Sequence, residues 1–304
     1  MKKNKTFFLL FKNRIHMKFP NYFADAESNL EDTEFVIFGV PYDKTSSFRK
    51  GAKKGPNAIR HATWNFETFN FKTGNDLIDI KFHDYGNLDV SDDSPSAMVK
   101  KVKDFTKDLL KKNKIPICLG GEHSITPGII QAFPKDISVL CLDAHIDFRN
   151  KYEGDKYNHA CVNRRIYEHI GNKNFAILGI RSAEKKEYFE AKSKNLFFID
   201  SYEIKKIGIK NTLDLVKNHI ENKKIYLTLD IDVIDPAYAP GTGTPEPFGL
   251  TPFEIIKCID FLSSNLVGFD ITEVCPPYDN GETAILAAKT VRYVIEKIWS
   301  KKQR

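Results

Sequence analysis

The feature that most narrows what this chain can fold into is a repeated alternation. Short runs of β-branched and aromatic residues are followed by stretches with apolar residues three and four apart. The runs predict eight strands, at 35–40, 77–82, 115–119, 137–142, 175–180, 196–199, 224–229 and 266–271. Met98, Val102, Phe105 and Leu109, and likewise Ile255, Ile259 and Leu262, mark two of the helices between them. Strands that alternate with helices imply a parallel sheet, and several of the runs are apolar at every position, as a sheet covered on both sides requires. The expected fold is α/β: a three-layer α/β/α sandwich around a parallel, roughly eight-stranded sheet.

At 304 residues, 41% hydrophobic and 28% charged, the chain can bury a sizeable core. We read one domain over 17–304. Residues 1–16 are read as a disordered extension or the product of an upstream start codon, because domain-like sequence begins directly after Met17. The net charge of +6 comes from lysines scattered among 40 acidic residues, without a basic stripe or aromatic interleaving, so no nucleic-acid partner is expected. No run approaches the roughly 18 apolar residues of a membrane helix, and the five apolar residues at 7–11 are too few for a signal peptide. Cys118, Cys141, Cys161, Cys258 and Cys275 are odd in number and contain no Cys-x-x-Cys pair. Neither a disulfide framework nor a thiolate zinc site is indicated, and a reducing, cytoplasmic setting fits.

The chemistry concentrates just after three of the strands. Asp143-Ala-His145-Ile-Asp147 follows the run ending at Leu142, Asp230-Ile-Asp232 follows Leu229, and Gly120-Gly121-Glu122-His123-Ser124 follows Leu119. In extended backbone, alternate residues share one side, so three parallel strands would deliver six ligands to one sheet edge. A single Asp-x-Asp at a strand end is ordinarily a turn or a cap, and a lone histidine a satisfied polar group. Three such motifs together argue for metal, since four clustered carboxylates need cations or raised pKa values to be buried. Oxygen ligands with two imidazoles suit a fairly hard ion such as Mn²⁺ better than a structural zinc.

At these residues the chain resembles the ureohydrolase superfamily of arginases and agmatinases, agmatinase most closely. The likeness extends through Gly39-Val-Pro-Tyr-Asp43, Gly55-Pro-Asn-Ala-Ile-Arg60 and the stretch from Asp230 to Pro247. It implies that His123, Asp143, Asp147 and Asp230 hold one divalent ion and Asp143, His145, Asp230 and Asp232 a second, with Asp143 and Asp230 bridging. It further implies a water activated between the ions, Asp147 as its proton acceptor, Glu273 as the group that takes up the guanidinium and His159 as the proton shuttle to the leaving amine. By itself His159 reads as the start of a helix capped by Asn158.

A small cationic guanidino substrate agrees with the negative charge left on such a site. Agmatine, cleaved to putrescine and urea, is the expected substrate, with aminopropyl-agmatine, arginine, guanidinobutyrate and guanidine as alternatives. Between the metal motif and His159 the stretch 148–158 has tyrosyl hydroxyls only, unlike the hydroxyl- and amide-rich loop of arginases. Glu153 or Asp155 would meet the distal amine or else face solvent. The resemblance also implies a homo-oligomer, trimeric or hexameric. The competing readings are a single-zinc deacetylase and a catalytically silent regulatory homologue.

Overall fold

The protein is described by a computed structural model covering residues 20–221 and 224–303; the expected extension over 1–16 lies outside the described residues. Eight strands form one sheet: β1 Phe35–Val40, β2 Phe82–Asn87, β3 Ile115–Gly120, β4 Ser138–Leu142, β5 Phe175–Ile180, β6 Phe197–Asp200, β7 Ile225–Asp230 and β8 Leu266–Thr272. Their order is β2-β1-β3-β8-β7-β4-β5-β6. Every pairing is parallel. The described helices are α1 Gly55–Thr63, α2 Pro95–Lys111, α3 Thr126–Ile130, α4 Val162–Ile170, α5 Lys185–Ser193, α6 Ser201–Ile207, α7 Ile209–His219, α8 Pro252–Leu262 and α9 Glu282–Lys302.

The period of two in the strands sorts their side chains between two cores. Ile117, Leu119, Leu140, Leu142, Leu227 and Leu229 pack with α1, α6, α7, α8 and α9 on one face. Val36, Phe38, Val139, Cys141 and Ile177 pack with α2, α3, α4 and α5 on the other. Each fully buried Val, Leu, Ile or Phe contributes about 1.5–3 kcal/mol, so the layers are held chiefly by these two apolar interfaces. Helix ends are specified locally. Thr251 and Glu254 form a reciprocal capping box ahead of Pro252, and Ser94 caps α2 ahead of Pro95.

Seven of the expected strands lie within a residue or two of the observed ones. The eighth does not. The run 77–82 was expected as a strand on its apolar alternation, but Leu77–Asp79 is a 3₁₀ turn whose first residue follows an Asp76 cap, and β2 begins only at Phe82. What holds this polar edge strand is a tertiary ion pair. Asp84 receives Arg60 Nε at 2.7 Å and Nη2 at 2.9 Å, and also the backbone N–H groups of Phe23 and Gly86. Arg60 is fully buried. An ion pair between residues 24 apart in sequence leaves no trace in local hydrophobicity.

Register decides where the site lies. Leu119 stands beside Ile271, Ile271 beside Leu229, and Leu229 beside Leu142, forming one row across the four central strands. All four strands leave the sheet at the same height on the same edge. Among the described residues no helix is long and apolar enough to cross a membrane.

Replacing Asp84 with Ala strands a buried guanidinium. Denaturant unfolding of the metal-free protein should show a loss of about 3–5 kcal/mol with little change in slope; a loss below about 1 kcal/mol would show that water reaches Arg60.

Candidate metal centre and substrate pocket

Each motif reaches the edge by its own local device. His123 opens a 3₁₀ turn directly after β3. The preceding Gly121 is required by a close approach: a Cβ there would lie 2.0 Å from the Tyr42 carbonyl oxygen. The backbone N–H of Gly121 donates to Val40 O at 2.8 Å, and that of Glu122 to Tyr42 O at 2.7 Å. Asp143 follows β4, but the chain does not continue extended to Asp147, whose φ of 45° is left-handed. Asp230 ends β7 and caps a 3₁₀ turn, its carboxylate accepting the Asp232 N–H at 2.9 Å. The expected alternate-residue projection thus gives way to turns, and the turns converge on the same point. Glu273, after β8, also has a left-handed φ, of 60°, and its Oε1 accepts the His123 N–H at 2.7 Å.

The six expected ligands meet. His123 Nδ1 lies 3.3 Å from Asp143 Oδ2, 3.2 Å from Asp230 Oδ2 and 3.9 Å from Asp147 Oδ2. His145 Nδ1 lies 2.9 Å from Asp232 Oδ2 and 3.8 Å from Asp143 Oδ1. Asp143 therefore faces both imidazoles.

Asp143, Asp147, Asp230, Asp232 and Glu273 are all buried. Two like charges 4 Å apart cost about 4 kcal/mol even at an effective dielectric of 20, so five carboxylates cannot remain ionised here unaided. The titration directions agree. Burial, followed by the charge of a neighbouring aspartate, pushes Asp147, Asp230 and Glu273 well above the usual carboxylate range. Asp143 also rises, through burial, against the pull of His123. Asp232 is the exception: burial is overridden by His145, and its pKa falls to about 2. Burial drives both imidazoles toward neutrality, yet Asp143 and Asp230 hold His123, and Asp232 holds His145, protonated well above the histidine range. Protons thus occupy the positions that cations would take.

The residues fit divalent ions. His123 Nδ1 is buried and makes no hydrogen bond, although carboxylates surround it. Its other nitrogen is accounted for: Nε2 lies 3.0 Å from Thr228 Oγ1, which donates to Asp270 Oδ1 at 2.6 Å. With the threonine proton committed to Asp270, Nε2 must carry the ring hydrogen, so the further proton held on the metal-free ring sits on Nδ1, and its release leaves a lone pair there aimed into the cluster. Ligand atoms of His123, Cys141 and Asp143, and of Asp143, His145 and Asp232, lie within 4.8 Å of one another. Cys141 was not expected there. Burial, and then Asp143, raise its thiol well above the ordinary range, so it adjoins the cluster as a protonated neighbour.

Above the cluster opens a cavity of about 210 Å³, whose lining includes Asp147, His159, Glu273, Tyr152, Arg149 and Glu184. His159 lies on its wall, in a 3₁₀ turn that Asn158 caps by accepting the Ala160 N–H at 3.0 Å. The capped turn is the one read from the sequence itself, and the pocket wall is where a proton shuttle would have to stand. Burial lowers its pKa to about 4. Glu153 and Asp155 do not line the cavity. Glu184 and Glu187 do, and Arg149 lies between them, its Nε 3.8 Å from Glu184 Oε2 and 3.3 Å from Glu187 Oε2.

Several contributors carried no local signal. Arg181 donates to the carbonyl oxygens of Asp232, Glu246 and Pro247 at 2.6, 2.7 and 2.9 Å, stapling the 244–249 loop over His145. Thr45 and Ser47 come from a loop more than 100 residues away from His159 in sequence, and bond to its ring.

The Arginase family model matches residues 33–296. The chain is 39% identical to the N(1)-aminopropylagmatine ureohydrolase of Thermococcus kodakarensis, covering 87% of this chain and 91% of that protein. It is 37% identical to the agmatinase of Pyrococcus horikoshii, over 88% and 93% of the two. Its fold superposes on the crystal structure of agmatine ureohydrolase from Thermoplasma volcanium with a TM-score of 0.89 at 40% identity, covering 93% of this chain and 96% of that one. On the family match and these extended likenesses, the chain belongs to the arginase family of ureohydrolases.

Proposed function

We propose that this protein hydrolyses the guanidinium group of agmatine to urea and putrescine, using two divalent cations of which Mn²⁺ is the best match to the donors. His123, Asp143, Asp147 and Asp230 would hold one ion, and Asp143, His145, Asp230 and Asp232 the other. The observation that carries the reading is the unpartnered His123 Nδ1 among buried carboxylates, directly beneath an open pocket. When bound, the ions supply Lewis acidity and ionise the attacking water near neutral pH.

The protein's own groups do the rest. Asp147, at the pocket floor, accepts a proton from the attacking water. Glu273 is anchored through one oxygen by the His123 N–H, and its other oxygen lies beside Gly243 on the pocket wall, where it receives the guanidinium. His159 delivers a proton to the departing amine. Around the mouth, two carboxylates face one guanidinium: Glu184 and Glu187 against Arg149. Glu187 is already occupied by the Phe148 N–H at 2.6 Å and by Arg149, which leaves Glu184, more than half exposed, as the group for a distal amine. This sign favours an amine tail over the carboxylate of guanidinobutyrate. The same negative charge at the mouth suits the longer aminopropyl-agmatine, for whose hydrolysis the Thermococcus relative is named.

Urea release with Mn²⁺ should rank agmatine or aminopropyl-agmatine above arginine and guanidinobutyrate; a preference for guanidinobutyrate would sink the assignment. His159→Gln should lower kcat by about 10²–10⁴-fold, the usual worth of a general acid.

An exposed ion pair is worth about 0.2–1 kcal/mol. Glu184→Gln should therefore raise KM for agmatine only a few-fold with kcat unchanged, and a fall in kcat alone would place Glu184 elsewhere in the mechanism.

Metal uptake has a definite pH sign. His123 and His145 have raised pKa values in the metal-free protein, so bound protons compete with the ion through neutral pH. Affinity for Mn²⁺ should climb as pH rises above about 6.5, with proton release. Calorimetry in buffers of different ionisation enthalpy reads this directly, and buffer-independent heats would contradict it.

A further inference from the structure

Glu122 is wholly buried, adjoins a ligand in sequence and takes no part in the metal cluster. Four donors converge on it: Thr45 N at 2.8 Å, Thr45 Oγ1 at 2.5 Å, Ser46 Oγ at 3.2 Å and Ser124 Oγ at 2.6 Å. A carboxylate offers about four acceptor sites, so this one is full, and each of the three hydroxyl protons is committed to it. Thr45 Oγ1 consequently faces His159 with lone pairs alone. It accepts the His159 backbone N–H at 2.9 Å and lies 3.4 Å from the ring Nδ1. An acceptor at that position requires hydrogen on Nδ1. The basic nitrogen is then Nε2, which lies 3.1 Å from Ser47 Oγ on the pocket wall.

We propose that Glu122 and Thr45 are positioning residues that lock His159 in the Nδ1–H tautomer, making Nε2 the single atom that takes up a proton and passes it to the leaving amine. This rests on the proposed role of His159 as proton donor. In the step, the C–N bond breaks with its electron pair remaining on the amine nitrogen, Nε2–H gives that nitrogen its proton, and the ring returns to neutral with hydrogen still on Nδ1. Both protons of the attacking water finish on the amine, one of them by way of Nε2, so charge and atoms balance. The device also couples two segments. Glu122 accepts from Thr45 and Ser46 of one segment and immediately precedes the ligand His123 of the other.

The test uses ¹⁵N-histidine NMR on the whole protein, with the His159 ring among the eight histidines assigned by its loss in His159→Gln. In the resting wild type the ring should show a protonated Nδ1 and an unprotonated Nε2; the opposite tautomer overturns the proposal without reference to activity. Thr45→Val, which keeps the shape and removes the hydroxyl, should average the two ring shifts. It should also lower kcat by roughly 10-fold, with KM within about twofold. Thr45→Ser should restore both readouts. Unchanged ring shifts in Thr45→Val, or a kcat loss that serine does not rescue, would mean that Thr45 only packs. If the shifts move as stated while His159→Gln keeps full urea release, the proton-donor reading fails, and delivery through Nε2 falls with it.

Discussion

Negative charge that cannot stand alone governs the architecture. Five buried carboxylates are drawn together at the ends of β4, β7 and β8, beside His123 from the end of β3, and two imidazoles bearing protons offset only part of their charge. The sheet supplies what such a cluster needs: four adjacent parallel strands that stop at the same height, held in register by their hydrogen-bond ladders and packed by apolar layers on both faces. The energy that tolerates the cluster thus comes from the two cores, and the cluster converts part of it into affinity for cations.

The loops above the cluster follow from the same constraint. Each places a positive or donor group where the carboxylates would otherwise be unsupported, or keeps water from the ligands. Arg181 ties the carbonyl oxygens of Glu246 and Pro247 in the 244–249 loop to those of Gly179, Asp232 and Val233, and Thr244 Oγ1 reaches Asp232 Oδ2 at 3.3 Å. Asp270, beneath His123, gathers Thr228, Tyr226 and Thr126 and so directs the ligand ring without touching it. Second-layer groups of this kind turn a collection of acids into a site of defined geometry.

Most of the sheet and the six side chains that meet at its edge were legible in the sequence because both are written locally: an apolar run is contiguous, and each of the polar motifs spans at most five residues. The polar strand β2 was missed because the Arg60–Asp84 pair that holds it is tertiary. The directions of Asp147 and Asp232 were anticipated for the wrong reason, since turns rather than extended backbone aim them. Glu184 displaced Glu153 and Asp155 at the pocket mouth because the chain from β5 folds back over the cavity, which spacing within 148–158 could not reveal. Thr45 and Ser47 belong to none of the motifs read from the sequence, and only the fold sets them against His159.

Asp147 and Glu273 hold left-handed backbone that side chains of their kind adopt at a cost of about 1–2 kcal/mol. Glycine would relieve that strain at either position while deleting a carboxylate to which the proposed chemistry gives a role. The active sequence is therefore not the most stable one available to this fold. A lineage released from selection for activity would be expected to drift first at these two corners, where decay of function and gain of stability coincide.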